Sequence, residues 1–427
     1  MRSAPWLACL AAGAACRGGG GKKKPTVGSN TAAPFELVNG DDAGAAGPTG
    51  DEVEPNDTDD KATPLQLGAT MRGKIEPDTD IDRYRIAVAQ QGELAVTLSA
   101  VDADLALEIE NGSGKVVAKS DRGGVRVAEG VPNLGVSPGN YVAVVRAIKH
   151  RSRRGSAESK PPPVYELTAQ MVSPAPNAEH EPDDDRGSAN ELIVGDTGTG
   201  FIGWTGDVDA WKTSIEALAA KDALDVEVSA VDGVAFELEL DDGSGAALLH
   251  RKAPRGAPMI VRGFVPPEGS GASGSGSAAP PALFALVSAA QGSNPEAPYT
   301  LRITGHVIGA DAEIEPDDTP DRAFPWPADR TTVHASWTPG DVDCFALPVS
   351  SSARDVTATI EPAGDLSLVV ELLVDGKPAG APTSGGKGIT QKLSGSVPAN
   401  SHAVLRVKGA GDRAAEGTYD VTLQDGA

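Results

Sequence analysis

The chain has 427 residues, 40% hydrophobic and only 4% aromatic, with 51 Gly and 33 Pro. That length suits about two to four domains, and the composition favours short strands and many turns over long helices. With 60 acidic against 37 basic residues and a formal net charge of −23, the chain lacks the cationic surface that captures phosphate backbones, which excludes nucleic acid as a partner.

Residues 1–16 read MRSAPWLACLAAGAAC. Arg2 supplies a positive start, Leu7 to Ala15 a short apolar run, and Gly13, Ala14 and Ala15 a small-residue end. This is a secretory signal pattern, too short to span a bilayer. Small residues directly before Cys16 resemble a bacterial lipobox, although Gly13 stands where that motif usually has an aliphatic residue. The resemblance implies that Cys16 is lipidated, becomes the mature N-terminus and attaches the chain to a membrane; an ordinary signal peptide cleaved nearby is the plainer alternative. Residues 17–50, with GGGG, KKK and runs of Ala, Gly, Thr and Pro, cannot bury enough apolar surface to order themselves and predict a disordered, flexible tether.

Three repeats follow. EVEPND (52–57), EHEPDD (179–184) and EIEPDD (313–318) each precede an Asp-x-Asp pair with an aromatic residue two places on. The pairs are Asp80/Asp82 with Tyr84, Asp207/Asp209 with Trp211, and Asp341/Asp343 with Phe345. From the second Glu to the first Asp the distance is 26 residues in all three. Chance acidic runs do not keep such a register, so the expected modules are 51–173, 178–308 and 312–427. Each ends on a similar strand carrying Tyr165, Tyr299 or Tyr419.

Within the modules apolar residues alternate with polar ones, as at Leu94, Val96 and Leu98, or Val356, Ala358 and Ile360. That period of two belongs to half-buried strands, and Gly- and Asp-rich turns punctuate it. The expected fold is all-β: three tandem antiparallel β-sandwiches, jelly-roll-like, behind the N-terminal tether. Two loops differ between repeats, the basic 149–163 and the Gly/Ser/Pro-rich 265–282. His334 is expected where Gly73 and Gly200 stand in the other repeats. Cys344 should face away from a core lined by Phe345, Leu347 and Val349, and act as an inert thiol.

The pattern E-x-E-P-[N/D]-D, then D-x-D-x-aromatic, then a closing strand with Tyr resembles bacterial pre-peptidase C-terminal domains over nearly all of residues 51–427. The resemblance implies jelly-roll-like accessory sandwiches, usually attached to secreted peptidases. Collagen-binding domains of bacterial collagenases are similar, and bind calcium through the opening acidic segment and the later Asp pair.

The residues point the same way. E-x-E and D-x-D each project two carboxylates to one side of an extended chain. Gathering them concentrates like charge that a cation would relieve, and hard oxygen donors in that number suit calcium. The candidate ligands are Glu52, Glu54, Asn56, Asp57, Asp80 and Asp82; Glu179, Glu181, Asp183, Asp184, Asp207 and Asp209; and Glu313, Glu315, Asp317, Asp318, Asp341 and Asp343. Acidic, Pro-containing linkers whose Asp residues cap turns would read alike.

No His pair has zinc-hydrolase spacing, and no G-x-S-x-G elbow, Walker loop or Rossmann fingerprint occurs. The expected function is therefore non-catalytic: an envelope-anchored lipoprotein, periplasmic or on the cell surface, whose modules bind extracellular protein or polysaccharide. The alternative is an accessory subunit assisting a separate secreted peptidase or other hydrolase. Trp211 is expected in the core, whereas Trp204 and Trp337, close before the Asp pairs, are candidates for an exposed face that stacks on sugars.

Overall fold

The structure is a computed structural model that describes residues 49–122, 124–148, 162–218, 222–266, 281–411 and 416–426. Residues 1–16 with Cys16, nearly all of the tether, and most of the 149–163 and 265–282 loops lie outside the described residues.

The alternating segments form six sheets. In the first module one sheet runs in the order Thr49–Asp51, Thr70–Gly73, Tyr165–Val172, Gly92–Leu98, Glu129–Val136. The other runs Thr63–Leu65, Ile81–Val88, Gly139–Ala147, Leu105–Glu110, Val116–Ser120. Pairing is antiparallel except for the short edge strands Thr49–Asp51 and Thr63–Leu65. The second and third modules repeat this plan. Apart from a 3-10 turn at Pro320–Arg322, every named element is a strand. No helix of the described residues is long and apolar enough to cross a membrane.

Alternation decides what each sheet buries. In Ile81–Val88 the residues Asp82, Tyr84, Ile86 and Val88 point inward and their neighbours outward. Leu94, Val96 and Leu98 of one sheet meet Leu105, Leu107 and Ile109 of the other in the first core. The second core centres on Trp211, Phe236 and Phe264, the third on Phe345, Trp337 and Leu405. Each such side chain, fully buried, contributes on the order of 1.5–3 kcal/mol. Trp211 has room only because residue 198 is Gly, where a Cβ would fall 2.7 Å from the indole ring.

Three expectations need correction. The register pairs Ala335, not His334, with Tyr419, just as Gly73 pairs with Tyr165 and Gly200 with Tyr299. His334 is instead the counterpart of Thr199, because the opening segments bridge at Ala178–Thr199 and Ala312–His334. Val349 is exposed, since its strand ends at Ala346. Trp204 and Trp337 are buried rather than displayed, with Trp204 packed into the core of the first module.

The modules join by one device used twice. Glu181 N–H donates to Asn133 O and Gly135 N–H to Glu181 O; likewise Glu315 N–H donates to Gly263 O and Val265 N–H to Glu315 O. Each acceptor strand is the edge of its sheet, so the next module's opening segment covers it. Both edge strands carry a β-bulge beside the joint, between Leu94 and Val96 and between Leu224 and Val226 in their partner strands. The bulge supplies one extra residue, which turns the Asn133 and Gly263 carbonyls toward the next module. The corresponding pair in the third module, Arg354–Pro362 with Gln391–Val397, keeps its register without a bulge.

Candidate metal centre

Each cluster is assembled from three pieces of chain. The opening segment brings E-x-E, the strand with D-x-D brings the Asp pair, and the closing strand brings a tyrosine. Close approach requires a small residue opposite that tyrosine: a Cβ at Gly200 would lie 2.0 Å from Glu179 Oε2 and 2.5 Å from the Tyr299 hydroxyl.

In the first module, ligand oxygens of Glu52, Glu54 and Asp82 lie within 4.8 Å of one another. Tyr84 donates to Glu52 Oε2 at 2.7 Å, and Tyr165 donates to Asp82 Oδ2. Asn56 is fully buried, with neither side-chain atom hydrogen-bonded. Asp80 is buried and accepts from the amides of Glu76 and Ile81. Glu54 and Asp57 are exposed.

In the second module Glu179, Glu181 and Asp209 form the group, all buried. Glu179 Oε1 accepts from Asn133 Nδ2 and from the Phe201 amide, each at 2.6 Å. Asp207 Oδ2 accepts from Gly203 N–H, and Asp183 Oδ2 from Asn190 Nδ2. The second oxygens of Asp183, Asp207 and Glu181 have no hydrogen-bond partner. Asp184 is exposed.

In the third module there are two groups, Glu313/Glu315/Asp317 and Glu315/Asp318/Asp341. Asp343 accepts from the Tyr419 hydroxyl. Asp317 is fully buried with both carboxylate oxygens unpartnered.

Burial, and then the neighbouring carboxylates, push these acids far above their ordinary range. Asp82 and Asp207 are raised to about 8, Glu181 and Asp183 to about 9. Glu179, Asp209, Glu313, Asp317 and Asp343 move in the same direction for the same reasons. Buried carboxylates normally find partners. A fully buried Asp317 with neither oxygen bonded, set among further carboxylates, fits a hard, oxygen-seeking divalent cation.

Three contributors escaped sequence reasoning. Tyr165 and its counterparts are cluster donors as well as strand markers, and their recurrence signalled it. Asn133 and Arg251 enter from the preceding module, and nothing local in the sequence marks them.

No protein-family model matches the chain, and comparison with curated proteins finds no match. Among solved structures the chain is similar to the pre-peptidase C-terminal domain of collagenase from Bacillus anthracis, at 17% identity and a TM-score of 0.20, over 28% of this chain and 100% of that one. It is also similar to the tandem CBM22 domains of Xyn10C from Paenibacillus barcinonensis, at 13% identity and a TM-score of 0.17, over 51% of this chain and 82% of that one. The assignment as a tandem β-sandwich protein rests on the strand order and cores described above.

Proposed function

We propose that the chain is a non-catalytic, lipid-anchored protein of the bacterial cell envelope. In this reading its three sandwiches form a calcium-stiffened array that binds an extracellular ligand. The observation that carries it is the coincidence of acid cluster and joint. Glu179 and Glu181, with Glu313 and Glu315, supply both the candidate ligands and the segment that bridges to the preceding module. An ion held there fixes module orientation in the same event.

Calcium would be held by the E-x-E carboxylates, the second Asp of D-x-D and the residue at 56, 183 or 317, with the first Asp alongside. Its contribution is positive charge that compensates buried carboxylates. Protein is favoured over polysaccharide as the ligand, because all four tryptophans among the described residues are buried and offer no stacking platform. The lipid anchor at Cys16 rests on the signal pattern and the lipobox resemblance alone.

The test is a binding screen of the full chain against immobilised extracellular proteins and glycans, in millimolar calcium and in chelator. Saturable capture of a protein ligand that weakens in chelator supports the reading. Turnover of a peptide or glycan substrate, or calcium-dependent capture confined to glycans, contradicts it.

A further inference from the structure

The two joints share a backbone bridge but differ in what neutralises them. Arg251 lies on the edge strand Ala247–Lys252 of the second module, and its side chain is wholly buried. Its Nη2 reaches Glu315 Oε1, Asp341 Oδ1 at 2.6 Å and Asp318 Oδ1 at 3.2 Å. Its Nη1 donates to Thr338 Oγ1 at 3.3 Å. Glu315, Asp318 and Asp341 are one of the groups whose oxygens converge as metal ligands do. One guanidinium, delivered by the preceding module, therefore sits among all three.

The same place in the first joint is different. Arg251 pairs with Leu238 as Ser120 pairs with Leu107, and each lies six residues after the Gly that ends a GSG turn. Ser120 turns back into its own module and donates to Glu129 Oε2 at 2.5 Å. The counterparts of the Arg251-bound trio are Glu181, Asp184 and Asp207. What surrounds Glu181 and Asp207 is further carboxylate, from Asp183 and Asp184, while the exposed Asp184 also feels Lys119 and Lys115 of the first module. Glu181 Oε1 and Asp207 Oδ1 are buried without a hydrogen-bond partner. Close packing follows the cation. Thr338 Oγ1 donates to Ile260 O across the second joint, and a Cβ at Gly340 would fall 2.5 Å from Lys252 O. Gly206, in the matching turn of the second module, has nothing within 4 Å of its Cβ position.

We infer that Arg251 is a resident cation of the second joint, compensating the Glu315/Asp318/Asp341 group, so that this joint keeps a lock made by the protein alone beside the Glu313/Glu315/Asp317 group, whereas the first joint lacks that lock and depends more strongly on calcium. The half concerning the first joint rests on the calcium reading above. Arg251 forms no bond that a chelator removes, and deleting it leaves two buried carboxylates and the half-buried Asp318 facing one another. With a small polar residue there, the second joint loses that lock and should become as calcium-dependent as the first.

Hydrogen exchange on the full chain separates the two joints, because the bridging amides lie in distinct segments, 129–136 with 178–184 and 259–266 with 312–318. In the wild type, chelator should speed exchange in the first pair much more than in the second. In Arg251→Ser the second pair should exchange about a hundredfold faster in chelator, and millimolar calcium should restore it. Arg251→Lys, which keeps the charge without the planar fork, should fall between. The inference is overturned if the wild-type second joint opens in chelator as the first does, or if Arg251→Ser leaves it protected. Should Arg251→Ser not fold, the wild-type contrast still decides. If neither wild-type joint responds to calcium, the calcium reading falls and the contrast between joints falls with it. Faster exchange in Arg251→Ser would then uphold only the lock.

Discussion

Asn133 Nδ2 of the first sandwich donates a 2.6 Å hydrogen bond to Oε1 of Glu179, the first carboxylate of the second sandwich, and both side chains are buried. A side chain from one module thus helps satisfy the cluster of the next. Asn133→Ala should destabilise the first joint by about 1–3 kcal/mol, the cost of removing one partner from a buried polar group. Asn133→Asp should cost more in chelator, because it adds a carboxylate where several already repel. Denaturant unfolding of the full chain, followed by a probe at the first joint, checks the order wild type, Ala, Asp.

Stability in the absence of divalent ions should depend on pH in an unusual direction. Asp82 and Asp207 titrate near about 8 and Glu181 and Asp183 near about 9 in the fold, chiefly through burial, against ordinary values of 3.8 and 4.5. The fold keeps protons that the unfolded chain has lost. Stability from this source is fully present below pH about 4 and declines as pH rises through about 8 to 9. Between those limits the slope is about 1.4 kcal/mol per pH unit for each such carboxyl. Melting in chelator at a series of pH values should show the midpoint falling with alkalinity. Saturating calcium, which favours the ionised form, should flatten the curve.

Cys344 should be silent. Its side chain is fully buried against Leu373 and Val404 on the outer side of its strand, and burial pushes the thiol up to about 12. A maleimide should label it only after unfolding, as read by mass spectrometry of the peptide that contains it. Rapid labelling of the native chain at neutral pH would contradict this placement.

Membrane attachment is tested at Cys16. Cys16→Ser should move the protein from the membrane to the soluble fraction of the cell envelope. A single acyl chain holds only marginally, so firm wild-type attachment should accompany more than one chain on that cysteine. Equal sedimentation of variant and wild type with membranes would contradict the lipid anchor.

Much of the fold was legible because its signals are local. Strand alternation, the turn residues and the 26-residue register from Glu54, Glu181 and Glu315 are properties of short stretches. The acid clusters were legible because both halves of each recur at fixed spacing. Arg251 was not, because its partners lie 64 to 90 residues on, and in the run LLHRK an arginine reads as an outward-facing polar residue. His334 was placed one residue off for a related reason: strand register is set by pairing with Tyr419, not by counting from the opening motif. Trp204 and Trp337 were misread because proximity to an Asp pair says nothing about which side a turn faces, and at Trp204 the neighbouring module covers it.

The central claim is that the buried carboxylates at the joints exist to hold a divalent ion. Burial raises the pKa of these acids and favours their protonated form when the ion is absent, so binding should expel protons. Calcium titration of the full chain near neutral pH, in two buffers of different ionisation enthalpy, measures ion uptake and proton release together. Saturable binding with a buffer-dependent heat is expected. In Asp209→Asn, which neutralises a fully buried member of the second cluster, one binding event should be lost while the melting temperature in chelator rises. No saturable heat in the wild type, or binding without proton release that Asp209→Asn leaves unchanged, would contradict the account.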